Sequence, residues 1–253
     1  EIVEHSALWR QFPVGAVDYA RAATGPESER RTVSFGLHLF AYAGTPVALL
    51  QRAANPRHGD EGSVEVMCPQ EDAALSLLAE LRAAMVEHSV LRGQVVTFTA
   101  SDYGAQAGGM TFLPRDRVPA TDVVLPDGTL SRIERQVLGV ARHRTELLAA
   151  GQHLKRGVLL YGPPGTGKTH TVRHLVGESP GTTVIVLAGG ALRLVRLAAE
   201  TARALQPAII VLEDCDLIAE DRSFHDGPQP LLFEVLDAMD GLGSDSDVAF
   251  VLT

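Results

Sequence analysis

The sequence predicts an α/β protein: a doubly wound parallel sheet over residues 119–253, preceded by a small α+β domain over residues 1–118. Two observations lead to this fold class. In the second half, short and wholly apolar segments alternate with helical ones, which is typical of parallel strands covered on both faces. A glycine-rich loop at residues 162–167 also joins one of these strands to a helix, and its backbone can take conformations that a Cβ would forbid.

The N-terminal half carries the signals of both helices and strands. Ser6–Ala23 is roughly amphipathic and is predicted to be helical, and Pro69–Asp72 opens a second helix that ends near Glu87. Extended segments are predicted where β-branched and aromatic residues stand between turn residues. They cover residues 32–43, 46–53, 63–67, 94–99 and 110–113.

A connector that contains prolines and charges, residues 114–126, separates the two predicted domains. A long helix rich in Arg and Leu is predicted to follow it over residues 130–150. Strands and helices then alternate. The predicted strands are residues 157–161, 183–187, 208–212 and 248–252, and the predicted helices are residues 168–176, 191–205 and 230–239.

Composition argues against several classes of protein. A net charge of −9 argues against a nucleic-acid-binding protein, which needs clustered Lys and Arg. The sequence has no run of 18 apolar residues and no signal peptide at its start, so we expect no membrane segment. Its two cysteines, Cys68 and Cys215, are far apart, which favours a reducing cytoplasm. The chain does not begin with Met, and we interpret it as a fragment.

A phosphate-binding loop is the strongest signal in the sequence. The run GPPGTGKT fits the pattern G-x-x-x-x-G-K-[ST], with an apolar strand before it and a helix after it. Its backbone N–H groups would face phosphate oxygens, Lys168 would reach the β- and γ-phosphates of ATP, and the Thr169 hydroxyl would bind Mg²⁺. We also include His170, which directly follows the loop. The predicted nucleotide contacts are Gly162, Pro163, Pro164, Gly165, Thr166, Gly167, Lys168, Thr169 and His170.

A second part of the site is predicted at the end of the strand 208–212. The carboxylates of Glu213 and Asp214 follow this strand, and ligands of parallel sheets bind at the carboxyl ends of strands. One carboxylate can hold Mg²⁺ through water, and its neighbour can orient or deprotonate the attacking water. Lys168, Glu213 and Asp214 are therefore the predicted catalytic residues. Four histidines near the loop lack metal-ligand spacing, so no zinc site is expected.

Three segments, in this order, resemble the Walker A, Walker B and following helix of AAA ATPases: residues 157–169, 207–222 and 231–242. The resemblance implies a doubly wound sheet followed by a helical lid, and a hexameric ring with ATP at its subunit interfaces. It implies that Asp122–Val124 borders the adenine. It also implies that Glu213 serves Mg²⁺ and Asp214 the water, although the opposite division stays open.

The chain departs from the family in three ways. The family's Walker B ends Asp-Glu, whereas here the order is Glu213-Asp214; a displacement of ~1 Å can cost on the order of 10²-fold in rate. Glu213 follows Lys168 by only 45 residues, and no aromatic residue lies between Tyr161 and Phe224, where threading members carry an aromatic pore loop. The sensor, arginine finger and lid would lie beyond Thr253, so we expect this fragment to bind ATP but to hydrolyse it slowly.

The favoured interpretation is an ATP-hydrolysing ring, a homo-oligomer of hexameric size, that remodels or chaperones a protein client chosen by the N-terminal domain. The alternative is a nucleotide-gated scaffold with little hydrolysis, which the reversed carboxylates and the missing aromatic residues favour. A DNA-handling member is disfavoured by the acidic charge. The identity of the client does not follow from the sequence.

Overall fold

The computed structural model describes residues 16–54, 62–100, 107–215 and 230–253. The chain divides into two compact units between Ser89 and Val90. The first unit contains the strands β1 (Asp18–Ala23), β2 (Glu29–Tyr42), β3 (Thr45–Arg52) and β4 (Ser63–Met67) and the helix α1 (Glu71–Glu87). Its strands form an antiparallel sheet in the order β1-β2-β3-β4.

The hairpin between β2 and β3 turns at two left-handed residues, Ala43 (φ 48°) and Gly44 (φ 81°). Two consecutive positive φ angles match the twist of the flanking strands. Helix α1 packs against this sheet: Leu77 is buried, and the Tyr42 hydroxyl donates a hydrogen bond of 2.6 Å to Glu80.

The helix predicted over Ser6–Ala23 is corrected in its last part, where residues 18–23 form β1. Ala20, Ala22 and Ala23 favour a helix by propensity, yet they pair in register with β2. Propensity is a weak preference that hydrogen bonding to a neighbouring strand overrides. Residues 6–15 of the predicted helix lie outside the described part of the chain.

The second unit is built on a six-stranded sheet. Its strands are β5 (Val95–Ala100), β6 (Ala107–Leu113), β7 (Arg156–Leu159), β8 (Thr183–Ala188), β9 (Ala208–Glu213) and β10 (Val248–Leu252). Their order is β6-β5-β8-β9-β10-β7, and all neighbours are parallel except β5 and β6. The predicted alternation of strands and helices is therefore confirmed, and the sheet is mixed only at its β6 edge.

Helices cover both faces of this sheet. On one face, α6 (Val195–Ala204) and α7 (Pro230–Asp240) pack on side chains that include Ile185, Ile210 and Phe250. On the opposite face, α5 (Lys168–Gly177) packs on the alternate residues of the same strands, which include Val184 and Val211. Both sides of each central strand are buried, which explains why these strands are apolar in sequence except at their ends.

The boundary between the units differs from the predicted one at residues 118 and 119. The predicted N-terminal domain includes the hairpin β5–β6, but β5 pairs in parallel with β8 of the second unit. Arg115, which follows β6, also donates to four main-chain carbonyls of that unit. These acceptors are Gly93, Val176, Ser179 and Thr182, at 2.6–3.1 Å.

The predicted helix 130–150 is interrupted rather than continuous. It consists of α2 (Thr129–Glu134), a π-helical turn (Arg135–Gly139), α3 (Val140–Arg142) and, after a break at His143, α4 (Arg144–Ala149). The π-helical turn buries Val137 and Leu138 in the core under α5. A π-helical turn widens the helix locally, and here it coincides with the two buried residues of the segment.

A buried ion pair connects this turn to the sheet. Arg156 and Asp247 have side-chain exposures of 4% and 3%, and the guanidinium lies 2.6 Å from the carboxylate. Arg156 also donates to the carbonyl of Val137 in the π-helical turn and to that of Leu154. Loss of either partner would leave a charge without compensation in a dry environment.

We expect Asp247→Ala to lower the free energy of unfolding by about 3–5 kcal/mol, because the Arg156 guanidinium would stay buried without its counter-charge. Urea denaturation of the wild type and the variant measures this loss. Asp240→Ala is the matched control: Asp240 is 87% exposed and lies 4.0 Å from Lys155, so its removal should cost less than about 1 kcal/mol. Equal losses of stability for the two variants would contradict the stabilising role of the buried Arg156–Asp247 ion pair.

Candidate nucleotide-binding site

The loop of residues 162–167 has the backbone that a phosphate cradle requires. Gly165 and Gly167 lie in the left-handed region, at φ 81° and 91°. Glycine adopts these angles without the steric cost that a Cβ carries. The Thr166 hydroxyl donates to the carbonyl of Pro163 at 2.8 Å and so closes the loop upon itself.

Helix α5 begins at Lys168, directly after this loop, and runs for ten residues. The first N–H groups of such a helix point out of its end and attract anions. The Lys168 ammonium lies in the same loop and donates to the carbonyls of Gly162 and Pro163 at 2.6 and 3.3 Å. Thr169 and His170 are exposed at the start of α5. The loop therefore combines open main-chain donors, a cation and a hydroxyl.

Strand β10 places the acidic residues at the same edge of the sheet as this loop. It lies between β7 and β9, and Leu252 is opposite both Leu159 and Leu212. Parallel neighbours are spaced at about 4.8 Å, so the ends of β7 and β9 are ~10 Å apart. The loop follows β7 and the carboxylates end β9, so both open into one crevice at the carboxyl ends of the strands.

Glu213 is the inner carboxylate of this crevice. It is half-buried at the end of β9. Burial raises the pKa of Glu213 and the charge of Asp214 raises it further, while Arg173 on α5 opposes both. An ionised Glu213 is thus disfavoured unless a cation compensates its charge.

Asp214 directly follows Glu213 after the end of β9, and its backbone conformation is unusual. Its φ of 55° is left-handed, which Asp tolerates better than most residues with a Cβ. Thr253 supports this conformation, since its hydroxyl accepts a hydrogen bond from the Asp214 N–H at 3.3 Å and its carbonyl accepts one from the Cys215 N–H at 2.9 Å. The Asp214 side chain is exposed to the crevice edge.

The structure thus brings Lys168, Thr169, Glu213 and Asp214 to one edge of the sheet. The sequence analysis missed Arg173, whose charge acts on the Glu213 carboxylate, and Thr253, which accepts hydrogen bonds from the main-chain N–H groups of Asp214 and Cys215. A basic residue five positions after Lys168 and a polar residue at the end of β10 were the available signals. The residues fit Mg²⁺ and a triphosphate, because hydroxyl and carboxylate oxygens are the ligands Mg²⁺ prefers and the glycine loop offers main-chain N–H donors.

Of the remaining predicted positions, residues 122–124 lie in the connector, where residues 120–122 form a single 3-10 turn and Val123 is buried. Two of the four histidines are exposed with local partners: His143 lies 3.0 Å from Glu146, and His153 lies 3.0 Å from the carbonyl of Lys155. His174, in contrast, is buried. Within the described ranges, no three His, Cys, Asp or Glu side chains are grouped as metal ligands.

A glycine loop between a strand and a helix, with carboxylates at the end of a nearby parallel strand, defines the P-loop nucleoside triphosphatases. Comparison with known proteins narrows this class. Residues 158–253 match the model of the family described as "ATPase family associated with various cellular activities (AAA)". Residues 158–253 therefore form a domain of the AAA ATPase family.

Several curated proteins are similar to this chain. An ATP-dependent zinc metalloprotease FtsH of Pirellula staleyi is 29% identical over 195 residues, which cover 71% of this chain and 27% of that protein. The mitochondrial chaperone BCS1 of Bos taurus is 30% identical over 188 residues, or 70% and 44% of the two chains. The 26S protease regulatory subunit 6A of Caenorhabditis elegans is 26% identical over 164 residues, or 60% and 38%.

The chain thus spans between about a quarter and less than half of the length of these three relatives. The family membership confirms the α/β fold expected from the Walker motifs. None of the helices in the described ranges has the length and apolar character that crossing a bilayer requires.

We expect Lys168→Ala to weaken ATP binding about 10- to 100-fold, the loss of one charge-assisted contact of about 1.5–3 kcal/mol. Isothermal titration calorimetry in magnesium buffer measures the change. Lys155 is the other lysine of the chain and directly precedes β7, at the end of the strand opposite to the loop, so Lys155→Ala should leave the affinity unchanged. Unchanged binding by Lys168→Ala, with the fold intact, would contradict the assignment of the loop.

Proposed function

We propose that this protein binds ATP with Mg²⁺, hydrolyses it, and uses the cycle as a ring to remodel or chaperone a protein client. The observation that carries the proposal is the crevice at the carboxyl ends of β7 and β9. The glycine loop and the two carboxylates both follow these strand ends, which the strand register places at the same edge of the sheet. Membership of an ATPase family supports it. So do the chaperone and protease-subunit relatives, whose names describe protein-directed functions.

The loop and the first turn of α5 would bind the triphosphate, because left-handed Gly165 and Gly167 let N–H groups point at one anion. The Lys168 ammonium would move from the carbonyls of Gly162 and Pro163 to the phosphates, which are stronger acceptors. The Thr169 hydroxyl and Glu213 would hold Mg²⁺. When bound, this ion neutralises charge that develops on the phosphate oxygens.

The two carboxylates would divide the remaining work according to their surroundings. The raised pKa of half-buried Glu213 disfavours its ionised form, and a cation in the crevice would compensate the charge and stabilise the carboxylate. The main-chain N–H of exposed Asp214 donates to the Thr253 hydroxyl, which supports the backbone there, and the Asp214 carboxylate can accept a proton from an attacking water. We therefore assign Glu213 to the metal and Asp214 to the water.

This division of roles predicts that two conservative substitutions affect different steps, one ATP binding and the other hydrolysis. Glu213→Gln should weaken Mg²⁺-dependent ATP binding, because a neutral amide is a poorer metal ligand than a carboxylate. Asp214→Asn should leave that binding intact and lower the hydrolysis rate by about 10²-fold or more, the contribution of a general base. Magnesium titrations of ATP affinity and single-turnover hydrolysis separate the two roles. The reverse pattern would exchange the assignments.

The scaffold hypothesis remains the second candidate because of the left-handed Asp214. In that hypothesis ATP binding drives assembly, and the shorter, displaced carboxylate supports little turnover. The N-terminal unit, with its antiparallel sheet and α1, would select the protein partner in either case. Steady-state turnover of the wild type distinguishes the candidates, because the scaffold requires binding without significant hydrolysis.

Both candidates predict assembly that depends on nucleotide. We expect multi-angle light scattering to show a species of hexameric mass with ATP and Mg²⁺ and smaller species without them, because ATP at subunit interfaces adds contacts between neighbours. Lys168→Ala should remove the nucleotide effect, and Lys155→Ala should keep it. A monomer under both conditions would contradict the ring.

A further inference from the structure

His174 is a buried titratable side chain on the helix that follows the glycine loop. Only 2% of the residue is exposed. It lies on α5, six residues after Lys168. Both of its ring nitrogens make short contacts: Nδ1 lies 2.7 Å from the carbonyl of Val118, and Nε2 lies 2.8 Å from a carboxylate oxygen of Glu134. The ring thus joins α5 to the connector on one side and to α2 on the other.

The partners of the ring determine its protonation. A carbonyl oxygen and a carboxylate oxygen both accept hydrogen bonds, so both ring nitrogens must donate, which only the imidazolium form can do. Burial by itself lowers the pKa of His174. The hydrogen bonds to Glu134 and to the Val118 carbonyl, with the charges of Glu134 from α2 and Glu178 after the end of α5, outweigh it and raise the pKa overall.

The connector runs along the C-terminal half of α5. Arg115 donates to the carbonyls of Val176 and Ser179. Next, the carbonyl of Asp116 approaches so closely that a Cβ on Gly177 would lie 2.9 Å from it. Val118 then accepts from His174. Residues 122–124, four positions further, form the segment expected to border the adenine, whereas the first turn of α5 would bind the phosphates.

We propose that His174, as an imidazolium, is a positioning residue for ATP: it fastens the connector, which contains the segment expected to border the adenine, to the helix that would bind the triphosphate. This inference rests on the proposed ATP binding. When His174 loses a proton, one ring nitrogen no longer carries a hydrogen. That nitrogen then faces an acceptor oxygen of Val118 or Glu134 with its lone pair, so one of the two hydrogen bonds is lost. The raised pKa means that the contacts are complete below it and fail as pH rises through it, so the affinity for ATP should fall with increasing pH.

The test is the affinity for ATP, measured by calorimetry between about pH 6 and about pH 9. We expect the wild-type affinity to fall about 5- to 10-fold over this range, the loss of about one hydrogen bond. The matched control is Glu146→Gln, which neutralises an exposed carboxylate beside His143 and should follow the wild-type profile. Any pH dependence that belongs to ATP itself is common to the wild type and both variants, so it cancels when their profiles are compared.

Glu134→Gln is the decisive variant. Its amide can donate to Nε2 of a neutral ring whose Nδ1–H still bonds Val118, so both contacts persist without the imidazolium. We expect a flatter profile than that of the control, and tighter binding than the wild type at the alkaline end. A merely structural role of His174 would not produce this rescue. A Glu134→Gln profile parallel to that of the wild type would overturn the inference.

The outcomes separate this inference from the proposed function. If the wild type binds no ATP at any pH, the proposed function fails, and the positioning role fails with it. If ATP binds but the Glu134→Gln and control profiles coincide, only the inference fails. Melting temperatures without nucleotide provide a second readout, because the advantage of the wild type over Glu134→Gln should shrink as pH rises. A constant difference would show that no imidazolium contact exists.

Discussion

The pairing of β10 with β7 on one side and β9 on the other is the constraint on which the site depends. Leu252 is level with Leu159 and Leu212, so the glycine loop and the acidic residues open at the same edge. A register shift of either pair would separate the cation of Lys168 from the carboxylates. Register is secure here because most side chains of the central strands pack in a core on one face or the other.

The crevice combines a conventional phosphate cradle with an unconventional acidic turn. The loop has the left-handed glycines and the helix start that bind anions in many folds. The acidic turn instead ends in a shorter carboxylate on a left-handed backbone, which Thr253 supports from the adjacent strand. Strained backbone of this kind persists where neighbouring contacts determine it, and it often lies at functional sites.

Polar contacts outside the crevice attach the surrounding elements to the same sheet. Arg115 attaches the β5–β6 hairpin to α5 and β8, and Arg156 attaches the π-helical turn to the β10 end through Asp247. His174 attaches the connector and α2 to α5. In each case a buried or partly buried Arg or His side chain donates to main-chain carbonyls, which are satisfied only in one arrangement of the elements. The helix that would bind the phosphates is therefore tied to its surroundings at several points.

The sequence by itself determined the α/β class, the glycine loop, and the strand β9 with its carboxylates, because these depend on local patterns of apolar residues and glycines. Tertiary structure decided the rest. Residues 18–23 became a strand, and β5 and β6 joined the second unit, because long-range pairing outweighs local propensity. The roles of Arg173, Thr253 and His174 likewise depend on side chains that only folding brings together, and no spacing along the chain encodes those contacts.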